Sequence, residues 1–124
     1  MRSEQEAHVS ESLSLDGVEM YVSSTAAQGV VGAGTRLRFQ QKGSRVLGRY
    51  AGGAVKRGCL VGRVSAGSLV FRYAQVEASG QVHAGRSACE IFRTTSGRLR
   101  VVERFVWTTR DGRGTNVFDE FPPA

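Results

Sequence analysis

The sequence has few of the residues that build metal centres, disulfide frameworks or membrane spans. Its 124 residues include two cysteines and two histidines, and these show no recognised metal-ligand spacing. No apolar run approaches the roughly 18 residues that a membrane helix needs, and the polar, acidic start of the chain is unlike a signal peptide. We therefore expect a cytoplasmic protein with free thiols, no metal, no cofactor and no membrane contact.

Proline is equally scarce, whereas glycine is abundant. Both prolines fall within the last three residues, and sixteen glycines are spread along the chain. Several glycines stand in short breaks, such as Gly52-Gly53, Ser79-Gly80 and Asp111-Gly112, between runs in which apolar and polar residues alternate. Breaks of this kind are typical of β-hairpins.

This alternation predicts the fold. It marks eight strands, at residues 18–22, 36–41, 45–51, 58–65, 68–77, 82–92, 99–109 and 115–121. The connections are too short for the crossovers that parallel strands require, and closing the sheet removes its two exposed edges. We expect an all-β protein, an eight-stranded antiparallel up-and-down barrel of the calycin or lipocalin-like type. Residues 24–33 are the one candidate for a helical turn or a flexible lid.

Charge divides the chain into two parts. The net charge is +6, yet residues 1–19 hold five acidic residues against a single arginine. The opening residues also lack periodicity and have little to bury. We expect residues 1–14 to form a disordered acidic tail and residues 15–124 to form a single barrel domain with a basic surface.

The segment Leu99–Trp107 contains the most informative residue. Taken two residues at a time, its apolar face is interrupted at the centre by Glu103, while the other face carries arginines. A buried carboxylate is costly unless it is paired, hydrogen-bonded or protonated. Glu103 therefore belongs either to a structural network with Tyr50, Tyr73, Gln75 or an inward arginine, or to a polar site in an apolar cavity.

The inward faces of the other strands supply further candidates. Tyrosines, glutamines and aromatic residues give the expected lumen hydrogen-bonding groups inside an apolar wall, which is the composition of a ligand site. The candidate catalytic acid/base residues are Glu103, Tyr50 and Tyr73. The candidate ligand-binding residues are Phe39, Gln41, Phe71, Gln75, Phe105 and Trp107.

These residues predict a barrel, either monomeric or a homodimer, that binds a small, mainly apolar metabolite. One form of this hypothesis is a cofactor-independent cyclase or isomerase that uses the acid/base residues of the lumen. The other is a non-catalytic carrier. A third, less favoured hypothesis is a nucleic-acid-binding module, because the outward faces are rich in arginine. Single-strand binders, however, place aromatic and basic groups on the same face, whereas here the two fall on opposite faces.

Several motifs together resemble a known family. These are the turn Gln41-Lys42-Gly43, Tyr50 before Gly52-Gly53, the triplet Phe71-Arg72-Tyr73, and Glu103 followed by alternate aromatic residues. Over residues 15–121 the chain resembles small bacterial single-domain proteins that are often labelled N-acetylglutamate synthase, and the resemblance implies a small calycin-like barrel. It implies no particular activity.

The label itself conflicts with the sequence. Acetyl-CoA-dependent transferases bind the pyrophosphate at a glycine-rich turn that opens a helix. The nearest match here, Gln40–Arg45, has arginine where a small residue is required, and a strand follows in place of the helix. Because this motif does not fit a pyrophosphate-binding turn, we exclude acetyl transfer as the activity.

Overall fold

The computed structural model describes residues 13–121 of the chain, and it confirms the predicted barrel. Eight antiparallel strands follow one another around a closed barrel, and β1 pairs with β8 to complete it. The strands are β1 (Glu19–Ser24), β2 (Arg36–Lys42), β3 (Arg45–Gly52), β4 (Val55–Ser65), β5 (Ser68–Glu77), β6 (Val82–Arg93), β7 (Leu99–Trp107) and β8 (Arg113–Glu120). The described residues include no helix of the length and apolarity needed to cross a bilayer.

The barrel has two ends with different connections. At one end three short turns join the strands, as in the tight turn between Lys42 and Arg45. At the other end, called the mouth here, β1 and β2 are joined by residues 25–35, which we call the lid. The lid contains turns but no helix, so of the two predictions for this region the helical turn is wrong.

The end opposite the mouth is closed by the segment that precedes β1. Leu15 is 1% exposed and belongs to the core, and its backbone N–H donates to Oε1 of Gln41 at 2.9 Å. Leu13, within the predicted tail, is half-buried and packs against the same core. Residues 1–12, the remainder of that tail, lie outside the described residues.

The residues that face the inside and the outside of the barrel are those that the alternation predicts. The inward residues of β5 and β7 are buried, whereas the outward arginines Arg45, Arg49 and Arg72 are exposed. The structure also gives the facing of β4 and β6, which the pattern did not assign. Leu60 and Ser87 point inward, while Val61 and Phe92 are exposed on the outside.

Small residues inside the barrel make room for large ones on neighbouring strands. Four aromatic residues of the lumen each have a glycine as direct cross-strand partner. The pairs are Tyr50 with Gly58, Phe71 with Gly62, Tyr73 with Gly85, and Phe105 with Gly114. A Cβ atom added at Gly58 or Gly85 would overlap the phenol of its tyrosine partner, and one added at Gly62 would overlap the Cβ atom of Phe71. At Gly114 the overlap would be with Ala26 of the lid, and the Phe105 ring would be in tight contact. Gly58 and Gly85 thus leave the space that the two tyrosine rings occupy.

The two thiols are free and lie on opposite faces of the sheet. Cys59 is exposed on the outer face of β4, while Cys89 of β6 is buried, which raises the pKa of its thiol. We expect a disulfide-exchange reagent to modify Cys59 in the native protein and Cys89 only after unfolding, because the thiolate is the reactive form. Counting modified thiols before and after denaturant, without reductant, tests this. Finding no free thiol in denaturant would contradict it.

Candidate functional site

A cavity lies in the barrel beneath the lid. Its wall is mostly apolar and aromatic, and polar groups enter it from β3, β5, β7 and β8. The lining residues are Gly29, Val30, Val31, Leu37, Tyr50, Leu60, Phe71, Tyr73, Gln75, Glu103, Phe105, Trp107, Asn116 and Phe118. The volume that the centre of a water-sized sphere can reach is about 30 Å³, which holds roughly two water molecules. A metabolite therefore enters only if the wall moves.

Glu103 is the centre of a buried hydrogen-bond network in this cavity. Ser87 Oγ donates to Glu103 Oε2 at 2.5 Å, and Asn116 Nδ2 donates to Glu103 Oε1 at 2.9 Å. Asn116 is the direct cross-strand partner of Glu103, whereas Ser87 is the partner of Phe105. The expectation of a buried, hydrogen-bonded carboxyl is met, but by Ser87 and Asn116 instead of Tyr50, Tyr73, Gln75 or an arginine.

Burial has the largest effect on the pKa of this carboxyl. Glu103 is 5% exposed. Removal from water raises its pKa, and the hydrogen bonds from Ser87 and Asn116 lower it by less. The net result is a carboxyl whose proton is held more tightly than in water. Glu103 thus has the electrostatic character of a general acid/base or of a neutral polar anchor.

A second network runs from the lumen to the mouth. The Tyr50 hydroxyl donates to Gln75 Oε1 at 2.9 Å, and Gln75 Nε2 donates to Glu77 Oε2 at 2.9 Å. Arg110 pairs with the same oxygen of Glu77 at 2.7 Å, and its guanidinium stacks on the ring of Trp107. Burial raises the pKa of Glu77, but the hydrogen bonds from Arg110 and Gln75 outweigh it and leave the pKa lowered.

Tyr73 differs from the other polar residues of the lumen. Its hydroxyl is buried and, within residues 13–121, is the one buried side-chain polar atom without a hydrogen-bond partner. Its ring packs edge-on against Trp107, with 5.3 Å between ring centroids, and against Phe71 at 6.1 Å. Burial raises the pKa of this phenol, and the nearby Glu103 raises it further. The hydroxyl therefore stays protonated at neutral pH.

The lid is tied to the cavity by polar contacts at its beginning and by the apolar residues that follow them. Thr25 Oγ1 donates to Asn116 Oδ1 at 2.7 Å, which fixes the orientation of the amide that donates to Glu103. Trp107 Nε1 donates to the backbone oxygen of Gln28 at 3.0 Å. Val30 and Val31 follow these contacts in the lid and line the cavity. The lid thus completes both the wall and the polar network.

This architecture matches one family of proteins. A model of the family described as avidin-like protein matches residues 13–121, which include all eight strands of the barrel. The chain belongs to the avidin-like family. No curated protein and no solved structure matches it. The family is a small β-barrel family, which agrees with the small barrel that the motif resemblance implied, while the resemblance to proteins labelled N-acetylglutamate synthase stays a prediction.

The avidin-like barrel brings together most of the residues that the sequence singled out. Glu103, Tyr50, Tyr73, Phe71, Gln75, Phe105 and Trp107 all line the cavity. Two predicted ligand-binding residues of β2 do not line it. Phe39 is packed in the core, and Gln41 lies beside the closed end, where it accepts from Leu15. The reason is that the side chain of β2 at the cavity is Leu37, one inward position closer to the mouth.

Three polar residues of the site were not predicted. Ser87 and Asn116 contact Glu103 directly, and Thr25 reaches it through Asn116. Asn116 stands two residues before Phe118 on the inward face of β8, so an alternation argument on that strand could have found it. The described residues contain no group of three or more histidine, cysteine, aspartate or glutamate side chains arranged to share a metal ion.

Proposed function

We propose that this avidin-like barrel binds a small, mainly apolar metabolite in its lumen. The observation that carries the proposal is the cavity beneath the lid, where aromatic walls surround the buried Glu103 network and an unpaired Tyr73 hydroxyl. Eight-stranded barrels have an interior that is either filled by side chains or holds one small ligand. Apolar walls with a few placed polar groups are the usual composition of a ligand pocket, and membership of the avidin-like family supports the same function.

Binding requires the lid to open. The space now present is far smaller than a metabolite, and Val30 and Val31 cover it from the mouth. Opening breaks the hydrogen bond from Trp107 to Gln28 and the one from Thr25 to Asn116. These few contacts are the ones that a ligand must replace. We therefore expect binding to be accompanied by a change in the environment of Trp107.

Trp107 allows the proposal to be tested directly, because it is the single tryptophan of the chain. A panel of small apolar metabolites is titrated against its emission. We expect Val31→Phe, which places a ring in the cavity, to abolish the response to any metabolite that binds. The matched control is Ala33→Phe, which adds the same ring at an exposed position of the lid and should leave the response intact. A response that survives in the Val31 variant would place the ligand outside the lumen.

Catalysis is a second candidate function, and one observation favours it. A carboxyl with a raised pKa and a buried phenol share the same cavity, as an acid/base isomerisation or cyclisation requires. In such a reaction Glu103 would exchange the proton, while Tyr73 would hydrogen-bond the reacting oxygen. Tyr50 fits this role less well, because its hydroxyl already donates to Gln75. Loss of turnover in Glu103→Gln with retained ligand affinity would support the catalytic candidate.

A further inference from the structure

The buried hydroxyl of Tyr73 is a feature that the fold alone does not account for. Buried polar groups in folded proteins nearly always have a hydrogen-bond partner, and an unpaired one is destabilising. Tyr73 is 8% exposed, and its hydroxyl has no partner among the described residues. It also lines the cavity. A ligand in the lumen is therefore in a position to supply the missing partner.

The position of the hydroxyl is held by packing. Gly85, the cross-strand partner of Tyr73, leaves the space that the phenol occupies, since a Cβ atom there would overlap the hydroxyl. Trp107 and Phe71 both pack edge-on against the ring. The tyrosine is thus fixed before a ligand arrives, which reduces the entropy lost on binding.

The other polar groups of the lumen are already engaged. Both carboxyl oxygens of Glu103 accept hydrogen bonds, from Ser87 and from Asn116. The Tyr50 hydroxyl donates to Gln75. The Asn116 and Gln75 amides each already donate one of their two N–H groups, whereas the phenol of Tyr73 is the one buried polar group of the described residues that has no partner at all.

From this arrangement we infer that the ligand is an uncharged apolar molecule with a hydrogen-bond-accepting oxygen, such as a ketone or a lactone, and that Tyr73 donates to that oxygen. The inference rests on the proposed function and specifies the ligand class. Burial and the neighbouring Glu103 both raise the pKa of the phenol, so it is a donor at neutral pH.

The charges around the cavity exclude acids and amines. No lysine, arginine or histidine is among the lining residues, and Arg110, at the mouth, is already paired with Glu77. A carboxylate ligand would thus be desolvated near Glu103 without a cation to compensate it. An ammonium ligand would meet a carboxyl whose oxygens are occupied and whose neutral form burial favours.

Four probes that share one ring separate these classes: cyclohexanone, methylcyclohexane, cyclohexanecarboxylate and cyclohexylammonium. Their affinities are measured from the NMR shift of the Trp107 indole N–H in the wild-type protein and in Tyr73→Phe. We expect the ketone to bind at least roughly tenfold more tightly than either charged probe. We also expect Tyr73→Phe to weaken ketone binding by roughly tenfold and to leave methylcyclohexane unchanged. Tyr21→Phe, which removes a hydroxyl outside the lumen, is the matched control.

The outcomes distinguish the inference from the function on which it rests. If the preference for ketone over alkane is the same in both proteins, or if a charged probe binds more tightly than the ketone, the inference is wrong and lumen binding stands. If no probe shifts the indole resonance, the proposed function fails as well. The carbonyl stretching frequency of bound cyclohexanone is an independent measurement on the wild-type protein. It should be lower there than in Tyr73→Phe, which lacks the donor, and equal frequencies in the two proteins would also overturn the inference.

Discussion

Replacing Glu103 by glutamine is expected to leave the barrel folded and to remove a loss of stability that the wild-type protein undergoes as pH rises. Glutamine has the shape of the carboxyl and can satisfy the same neighbours. Its oxygen accepts from Asn116, and its amide donates to the hydroxyl oxygen of Ser87. The substitution therefore removes the ionisable group and keeps the hydrogen-bond network.

The sign of the pH effect follows from the direction of the pKa shift. The pKa of Glu103 is raised in the native protein above its ordinary value of 4.5, because the charged form is desolvated. Between the two values the native protein holds a proton that the unfolded chain has released. The free energy of unfolding is therefore highest, as far as this group is concerned, below the unfolded pKa and falls as pH rises through the native pKa.

The measurement is the difference in unfolding free energy between wild type and Glu103→Gln across this pH range. Glu77 and Asp119, whose pKa values are lowered, act in the opposite direction, but both are present in either protein and cancel. Glu90→Gln is the matched control, since Glu90 is exposed and its 3.9 Å ion pair with Arg104 contributes little. A difference that stays constant with pH would contradict the prediction.

Alanine at the same position is expected to be much more damaging. It leaves a cavity next to Phe105 and removes the acceptor for Ser87 and Asn116, both of which are buried. Each of these changes is destabilising, and together they should lower the free energy of unfolding by about 3 kcal/mol or more. Denaturant unfolding of the alanine and glutamine variants gives this difference. Equal stability of the two would mean that the network contributes nothing.

The strands could be predicted from the sequence because their alternation is local. The run Leu99–Trp107 shows both its facing and its buried carboxyl without any knowledge of its neighbours. The facing of β6 could not be predicted in this way. Its inward positions include Gly85 and Ser87, while Phe92 lies outside. Gly85 and Ser87 are small because large rings on β5 and β7 occupy the space beside them. Which rings lie beside them depends on the register between strands, which one strand's alternation does not show.

The site was predictable in part for the same reason. Tyr73 and Trp107 follow from alternation within their own strands. The partners of Glu103 depend on which residues lie opposite it, and the lid has no periodicity at all, so its position is set by contacts such as that between Thr25 and Asn116. Phe39 and Gln41 were predicted to bind the ligand but do not line the cavity. They face inward as predicted, but alternation does not tell how far along the barrel a side chain lies.

The glycine opposite Tyr50 gives a second prediction with a large effect. Gly58 has no side chain, and the Tyr50 ring lies over its Cα. The backbone at Gly58 does not have a positive φ, so alanine is excluded by the ring and not by the local conformation. We expect Gly58→Ala to lower the free energy of unfolding by about 1–3 kcal/mol, as overpacking in a core does.

A double-mutant cycle tests whether the ring is the cause. In a Tyr50→Val background the overlapping atoms are gone, so Gly58→Ala should cost little or even stabilise the protein, because alanine restricts the unfolded chain more than glycine does. Gly32→Ala is the matched control, since a Cβ there has open space and the backbone is unstrained. The cost of losing the Tyr50 hydroxyl bond to Gln75 is present in Tyr50→Val with and without Gly58→Ala, so it cancels from the effect of Gly58→Ala in that background. If Gly58→Ala costs the same with and without the tyrosine ring, the glycines are not there to accommodate the aromatic wall. The arrangement of the rings around the cavity would then not depend on the glycines opposite them.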